Sequence, residues 1–145
     1  MSDVLSQGDV VLSRTAASKE AAIREAGEIL VRAGAVDPAY VDAMLERERS
    51  ISTYMGNYLA IPHGTNEAKG TIQRSALCLV RYDEPVDWDG NPVRVVVGIA
   101  GVGDEHLSIL SRIALVFADT DQVQQVLDAP SSAELYAILQ SVNEE

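Results

Sequence analysis

The sequence predicts an α/β fold, as a single three-layer α/β/α domain with a mixed β-sheet flanked by helices. Apolar residues recur at helical spacing towards both ends of the chain. Between them lie two stretches rich in β-branched residues, which favour strands. Helices that precede and follow strands in this way pack on the faces of a sheet. Because 145 residues is a common size for one domain, we expect residues 1–145 to fold as one unit.

The first elements are a short strand and an amphipathic helix. Residues 9–13 are mostly apolar and predict an extended segment. From Ser18 to about Ala33 the apolar positions repeat at helical spacing. Ser18 is suited to cap the start of this helix, and Gly34 is suited to its exit.

A second helix follows, and its charges divide into two groups. Asp37 is predicted as the N-cap and Pro38 as the first helical residue, and the helix runs into the charged stretch 46–49. Arg49 shares its row with acidic residues only, so we expect it to be solvated. Arg47 shares a row with apolar residues, and we expect it at the edge of the packed face.

The second half predicts two strands followed by helices. The strands are 76–82 and 93–100, joined by an acidic loop in which Asp89 and Gly90 favour a tight turn. Helices are predicted at about 106–118, at 121–127 and at 131–142. The first of them has a predicted inward row formed by His106, Leu110, Ile113 and Phe117.

Charge and composition restrict the possible partners. The net charge of −11 argues against nucleic acid or an anionic membrane surface, since both attract clustered cations. Cys78 is the single cysteine and cannot form an internal disulfide, and the polar N-terminus has no signal-peptide pattern. We therefore expect a cytoplasmic protein. The longest apolar run, 95–103, is too short to span a bilayer, so no direct membrane insertion is expected.

One segment, residues 54–69, holds the most conspicuous candidate for chemistry. His63 lies between Pro62, which fixes its own φ, and Gly64, which permits unusual backbone angles and close approach by a ligand. Thr65 and Asn66 add polar groups, and exposed amides of a turn help to hold an anion. The pattern predicts an imidazole presented at the end of an extended segment.

This histidine is surrounded by Gly56, by Leu-Ala-Ile-Pro-His-Gly-Thr at 59–65 and by Glu-Ala-Lys at 67–69. Together these residues resemble the phosphorylation site of mannitol-type enzyme IIA proteins of the bacterial sugar phosphotransferase system. Further matches are Ala-Ala-Ile-Arg-Glu-Ala-Gly at 21–27, the stretch 40–47, and Asp-Glu-His-Leu at 104–107. In many members this domain is fused to a membrane permease, whereas this chain is similar to a stand-alone version.

The resemblance implies a phosphoryl carrier. His63 would accept phosphate from the histidine-containing phosphocarrier protein and pass it to a cysteine of enzyme IIB, with the phosphorylated nitrogen left open. Arg47 and His106 would stabilise the phosphate oxygens, while Gly64 and Thr65 would shape the pocket. The family needs no metal or organic cofactor in this domain. His-Gly-Thr followed by Glu-Ala-Lys favours mannitol, with a fructose-type or nitrogen-regulatory enzyme IIA, acting as a phosphorylation-dependent regulator, as the alternative.

Each candidate also has a simpler interpretation. Arg47 is placed to pair with a neighbouring glutamate, and His106 to be satisfied by hydrogen bonds at the start of a helix. Gly101-Val-Gly103 follows a strand and precedes a helix, as a dinucleotide-binding loop does. That pattern lacks its third glycine, because His106 occupies the position.

Overall fold

The computed structural model of the chain describes residues 4–65, 70–102 and 105–140. These ranges contain five strands, five α-helices and a 3-10 turn at Gln7–Asp9. The strands are β1 (Val10–Ser13), β2 (Tyr54–Gly56), β3 (Leu59–Ala60), β4 (Ala76–Trp88) and β5 (Asn91–Ala100). The helices are α1 (Lys19–Arg32), α2 (Ala39–Ser50), α3 (Glu105–Ala118), α4 (Thr120–Asp128) and α5 (Ser132–Leu139).

The five strands form one mixed sheet in the order β1-β4-β5-β3-β2. β1 is parallel to β4 and β3 is parallel to β5, whereas β4 with β5 and β2 with β3 are antiparallel. Alternate residues of the central strands face opposite sides. One side forms a core with α1 and α2, and the other packs against α3, α4 and α5. The predicted α/β/α fold with a mixed sheet is confirmed.

The β4–β5 hairpin is longer than the sequence predicted. Instead of an acidic loop over 83–92, β4 continues to Trp88 and β5 begins at Asn91. Val86 and Trp88 are buried and pair into β5, so their apolar side chains keep the segment in the sheet. The predicted turn is confirmed, because Asp89 and Gly90 have φ of 56° and 93°, as a two-residue hairpin turn requires.

Of the two N-caps predicted for α1 and α2, one is confirmed and one is not. Ser18 caps α1, because its hydroxyl accepts a hydrogen bond from the Ala21 amide at 3.1 Å. The predicted cap of α2 was wrong: Pro38 is the N-cap, and no side chain caps this helix. The carboxylate of Asp37 instead accepts a hydrogen bond from the Gln73 side chain at 3.0 Å. A contact with a distant segment thus replaces the local cap.

The later helices occur where they were predicted, but α3 turns a different face towards the core from the one predicted. Ile113 and Phe117 are buried as expected, whereas Ile109 and Val116 complete the buried row in place of His106 and Leu110, which are only partly buried. The predicted end of α5 near 142 lies outside the described residues. No helix within the described ranges has the length and apolar character needed to cross a bilayer.

Candidate functional site

A short hairpin carries the chain to His63. β2 and β3 are joined by Asn57 and Tyr58, both at positive φ (51° and 68°). β3 then lies parallel to β5, and the pairing continues beyond it as an isolated bridge between His63 and Ile99. The sequence had predicted an extended segment here but not these two strands. Gly56 and Asn57, which tolerate positive φ, were the signal of the turn.

The orientation of the His63 ring is set by its own backbone. Its Nδ1 lies 2.9 Å from the carbonyl oxygen of Ile61. A carbonyl oxygen accepts hydrogen bonds and cannot donate them, so Nδ1 is the nitrogen that carries the proton. In the neutral ring Nε2 therefore holds the free lone pair. The geometry defines which nitrogen can act as a nucleophile.

Burial also favours the neutral form of this imidazole. Burial is the main cause that lowers the pKa of His63 below its ordinary value of 6.5. The hydrogen bond to Ile61 and the negative charge of Glu48 raise the pKa, whereas the positive charge of Arg47 lowers it further. The net shift is downward, so the neutral, nucleophilic form predominates near pH 7.

Gly64 is required for space and not for an unusual backbone angle. Among the glycines that the structure describes, positive φ occurs at Gly34, Gly56 and Gly90 and not at Gly64. A Cβ at position 64 would lie 2.5 Å from a ring carbon of Tyr40. The Gly64 amide donates a hydrogen bond to the Tyr40 hydroxyl at 2.8 Å, and this hydroxyl donates to the Ile99 carbonyl at 2.7 Å.

Tyr40 therefore fastens the residue after His63 to strand β5. The Ile99 amide adds a further bond, donated to the Pro62 carbonyl at 3.1 Å. The buried Tyr40 side chain belongs to α2, so this helix supports the segment that carries the histidine. Sequence reasoning missed Tyr40, because nothing in its helical spacing distinguishes it from an ordinary core residue.

His106 stands opposite His63. The two ring centroids are 5.1 Å apart, with the ring planes inclined by 59°. His106 is the second residue of α3, where backbone amides and the helix dipole favour an anion. The helix approaches β5 closely at this point, since a Cβ on Gly101 would lie 2.6 Å from the His106 Cα. The two histidines that the sequence offered separately are thus brought together.

Arg47 lies near the end of α2 and is half-buried, while Arg49 is exposed, as predicted for both. One guanidinium nitrogen of Arg47 donates to the Ile51 carbonyl at 2.8 Å. Within the part of the chain that the structure describes, Arg47 forms no ion pair with a glutamate. Its charge is close enough to His63 to lower the pKa of that ring.

The remaining predicted residues are only partly placed. Thr65 follows Gly64 and is half-buried. Asn66 and the Glu-Ala-Lys part of the motif lie outside the described residues, as do Gly103 and Asp104. In the stretch after β5 that partly matches a dinucleotide-binding loop, Gly101 packs closely against His106. Among the described residues, no group of three histidine, cysteine or acidic side chains is arranged to hold a metal ion.

The site thus combines a neutral imidazole, which can act as a nucleophile, with a second histidine and a nearby positive charge, which suit an anion. The family "Phosphoenolpyruvate-dependent sugar phosphotransferase system, EIIA 2" matches residues 3–142 of the chain. The chain belongs to this family of phosphoryl-transfer proteins.

Individual relatives agree with this membership. The mannitol-specific phosphotransferase enzyme IIA component of Halalkalibacterium halodurans is 52% identical over 141 residues, which cover 97% of each chain. The crystal structure of IIA mannitol from Escherichia coli superposes with a TM-score of 0.86 at 36% identity, covering 92% of this chain and 97% of that one.

A third relative was determined together with a second protein. In a complex of enzyme IIA Mtl and phosphorylated enzyme IIB Mtl from Escherichia coli, the matched chain has a TM-score of 0.84 at 36% identity. The match covers 90% of this chain and 93% of that one.

Proposed function

We propose that this chain is the enzyme IIA component that carries phosphate during mannitol uptake, with Nε2 of His63 as the phosphoryl acceptor. The observation that carries the proposal is the hydrogen bond between Nδ1 of His63 and the Ile61 carbonyl. It leaves Nε2 unprotonated and fixes the ring while a partner approaches. The lowered pKa of His63 keeps its ring neutral, as a nucleophile must be.

The transfer needs no other covalent group. The lone pair of Nε2 attacks the phosphorus, and the bond between phosphorus and the donor nitrogen breaks as the new bond forms. The ring then becomes positively charged while Nδ1 keeps its proton. The Ile61 carbonyl, which accepts that proton in a hydrogen bond, stabilises this charge. In the second step an acceptor thiolate attacks the phosphorus, and Nε2 leaves with its electron pair.

Two side chains are available to the phosphoryl oxygens. Arg47 supplies a permanent positive charge whose fork of donors suits a phosphate group. His106 faces His63 at 5.1 Å between ring centroids and lies in the first turn of α3, where the helix dipole favours negative charge. Gly64 and Thr65 follow His63 directly in the chain, and we expect them to shape the same pocket. Stabilising charge in this way is the main source of catalysis in phosphoryl transfer.

The partners follow from the family and from the named relatives. The donor is the histidine-containing phosphocarrier protein, and the acceptor is enzyme IIB, in keeping with the Escherichia coli complex. The net charge of −11 favours a partner with a basic face. The reaction belongs in the cytoplasm. Mannitol is the proposed sugar because the 52% identical relative and the Escherichia coli structure both bear that name.

The test is a reconstituted transfer. The protein is incubated with phosphoenolpyruvate, enzyme I and the phosphocarrier protein, and peptides are mapped by mass for an acid-labile phosphate. We expect one phosphate on the peptide containing His63, and none in a control without enzyme I. The labelled protein is then mixed with mannitol-type and fructose-type enzyme IIB.

Rapid loss of phosphate to the mannitol-type protein alone supports the proposed sugar. Faster transfer to the fructose-type protein contradicts it. Stable labelling without transfer to either enzyme IIB favours the regulatory alternative. Absence of label, under conditions that label an established enzyme IIA, contradicts the carrier function itself.

A further inference from the structure

A buried carboxylate lies next to the site but outside the residues discussed so far. Glu48, on the last turn of α2, is only 5% exposed. Its oxygens accept hydrogen bonds from the Thr53 amide (3.1 Å), the Thr53 hydroxyl (2.5 Å) and the Trp88 indole nitrogen (3.1 Å). A buried charge is tolerated only when it is well satisfied in this way.

Hydrogen bonds connect this carboxylate to His63. The Thr53 carbonyl accepts a bond from the Ile61 amide at 3.0 Å. The Ile61 carbonyl is in turn the acceptor for Nδ1 of His63. Glu48 therefore holds Thr53, Thr53 holds Ile61, and Ile61 sets the direction of the imidazole. The first two links join residues five and eight positions apart, which the fold brings together.

Several other charges lie around Glu48. Lys19, at the start of α1, lies 3.7 Å from the Glu48 carboxylate and also pairs with Asp89 of the hairpin turn at 2.8 Å. Arg47 is the neighbouring residue on α2 and affects His63 with the opposite sign to Glu48. The carboxylate thus lies among the end of β4, the start of α1 and the residue that precedes β2.

We propose that Glu48 is a positioning residue for phosphoryl transfer, which through Thr53 and Ile61 keeps Nε2 of His63 directed at the incoming phosphoryl group. The proposal rests on the carrier function described above. The negative charge of Glu48 also favours the positively charged ring that forms when Nε2 of His63 is phosphorylated.

The test is the substitution Glu48→Gln in the full chain, with Glu46→Gln as the matched control. Both remove one negative charge from the same helix, but Glu46 is exposed. Glutamine keeps the shape of Glu48, yet its amide nitrogen cannot accept a hydrogen bond, so one of the three donors loses its partner. We expect Glu48→Gln to slow labelling of His63 by roughly 10- to 100-fold, since small misplacements have effects of this size. Glu46→Gln should label at the wild-type rate.

Nuclear magnetic resonance distinguishes positioning from support of the fold. Long-range nitrogen–proton correlations report which ring nitrogen of His63 carries the proton, and they need no phosphate. In Glu48→Gln we expect a lower pKa of His63 and a smaller share of the ring with its proton on Nδ1. Trp88 is the only tryptophan of the chain, so its indole proton signal reports directly on the bond to Glu48.

A folded Glu48→Gln protein with the wild-type labelling rate and an unchanged His63 ring would overturn the proposal. If this variant does not fold, Thr53→Val and Thr53→Ser replace it. Valine removes the hydroxyl bond to Glu48 and should slow labelling, whereas serine keeps the hydroxyl and should recover most of that loss. Equal rates for the two also overturn the proposal. If the wild-type protein is not labelled, the carrier function fails, while the ring measurements still decide the role of Glu48.

Discussion

The two histidines of the site face each other but are held in different ways. His63 is fixed by its backbone: it pairs with Ile99 in the sheet, and its ring bonds to the Ile61 carbonyl. His106 belongs to the first turn of a helix that rests closely on Gly101. The two roles have different requirements. A nucleophile needs one defined tautomer, whereas a group that stabilises oxygens needs only to reach them.

The largest effect on phosphate transfer is expected when the nucleophile, His63, is removed. We expect His63→Ala to lose phosphate acceptance by at least about 10³-fold, as expected when an essential nucleophile is removed, while the fold remains. Mass analysis after incubation with the phosphate donors checks the labelling, and circular dichroism checks the fold. Normal labelling of His63→Ala would refute the assignment and would direct attention to His106.

Loss of the positive charge of Arg47 on α2 should have the next largest effect on the labelling rate. Arg47→Gln is expected to slow labelling about 10²-fold, which is typical for the loss of one group that stabilises transition-state charge. Arg49→Gln is the control, because Arg49 lies on the same helix but is exposed. Single-turnover labelling rates provide the measurement. Equal rates for the two variants would exclude Arg47 from the pocket.

The support of His63 can be disturbed without touching the ring. In Gly64→Ala the new methyl group meets the Tyr40 ring, and both bonds of the Tyr40 hydroxyl are strained. We expect a loss of about 1–3 kcal/mol in the free energy of unfolding, as overpacking costs. Labelling should slow about 10-fold or more.

Urea unfolding and labelling rates measure these two effects. Gly70→Ala is the control, because a Cβ at that position meets nothing within 4 Å. Wild-type stability and rate in Gly64→Ala would show that the contact with Tyr40 is not needed.

Removing the second histidine should have a smaller effect. His106→Ala keeps Nε2 of His63 and is expected to accept phosphate, but to pass it to enzyme IIB about 10-fold more slowly. That factor corresponds to one hydrogen bond to a charged group. Stopped-flow or quenched-flow transfer measures the rate. An unchanged transfer rate would remove His106 from the mechanism.

The smallest effect concerns pH. Protonation removes the lone pair of Nε2, and the pKa of His63 lies below 6.5, mainly because of burial. Labelling should therefore be nearly constant above pH 7 and fall as the pH drops through this lowered pKa. The same shift makes the folded state less stable as the pH falls below 6.5, since the unfolded chain binds the proton more readily. Arg47→Gln should move the fall in rate to higher pH, and a fall centred above pH 7 in the wild type would contradict the shift.

Much of the architecture could be predicted from local patterns. The strands of the core, the Ser18 cap and the Asp89–Gly90 turn depend on neighbouring residues, so the sequence contains their signals. The extended hairpin over 83–92 could not be foreseen, because it depends on the burial of Val86 and Trp88 under distant helices. Asp37 failed as a cap for the same reason, since Gln73 lies 36 positions away.

The site divides in the same way. His63, His106 and Arg47 could be proposed from the resemblance to the family, and the structure brings His106 to His63. The groups that hold them could not be proposed, because Tyr40 and Glu48 appear in the sequence as one more helical tyrosine and one more helical glutamate. Their importance depends on tertiary hydrogen bonds, which no spacing along the chain displays.

The most direct test of this account is to identify the nitrogen that carries phosphate. The protein is labelled with ¹⁵N in histidine and phosphorylated through the phosphocarrier protein, and the ring nitrogens are assigned by nuclear magnetic resonance. We expect phosphorus coupling to Nε2 of His63, with the proton retained on Nδ1. Phosphate on Nδ1 of His63, or on either nitrogen of His106, would contradict it.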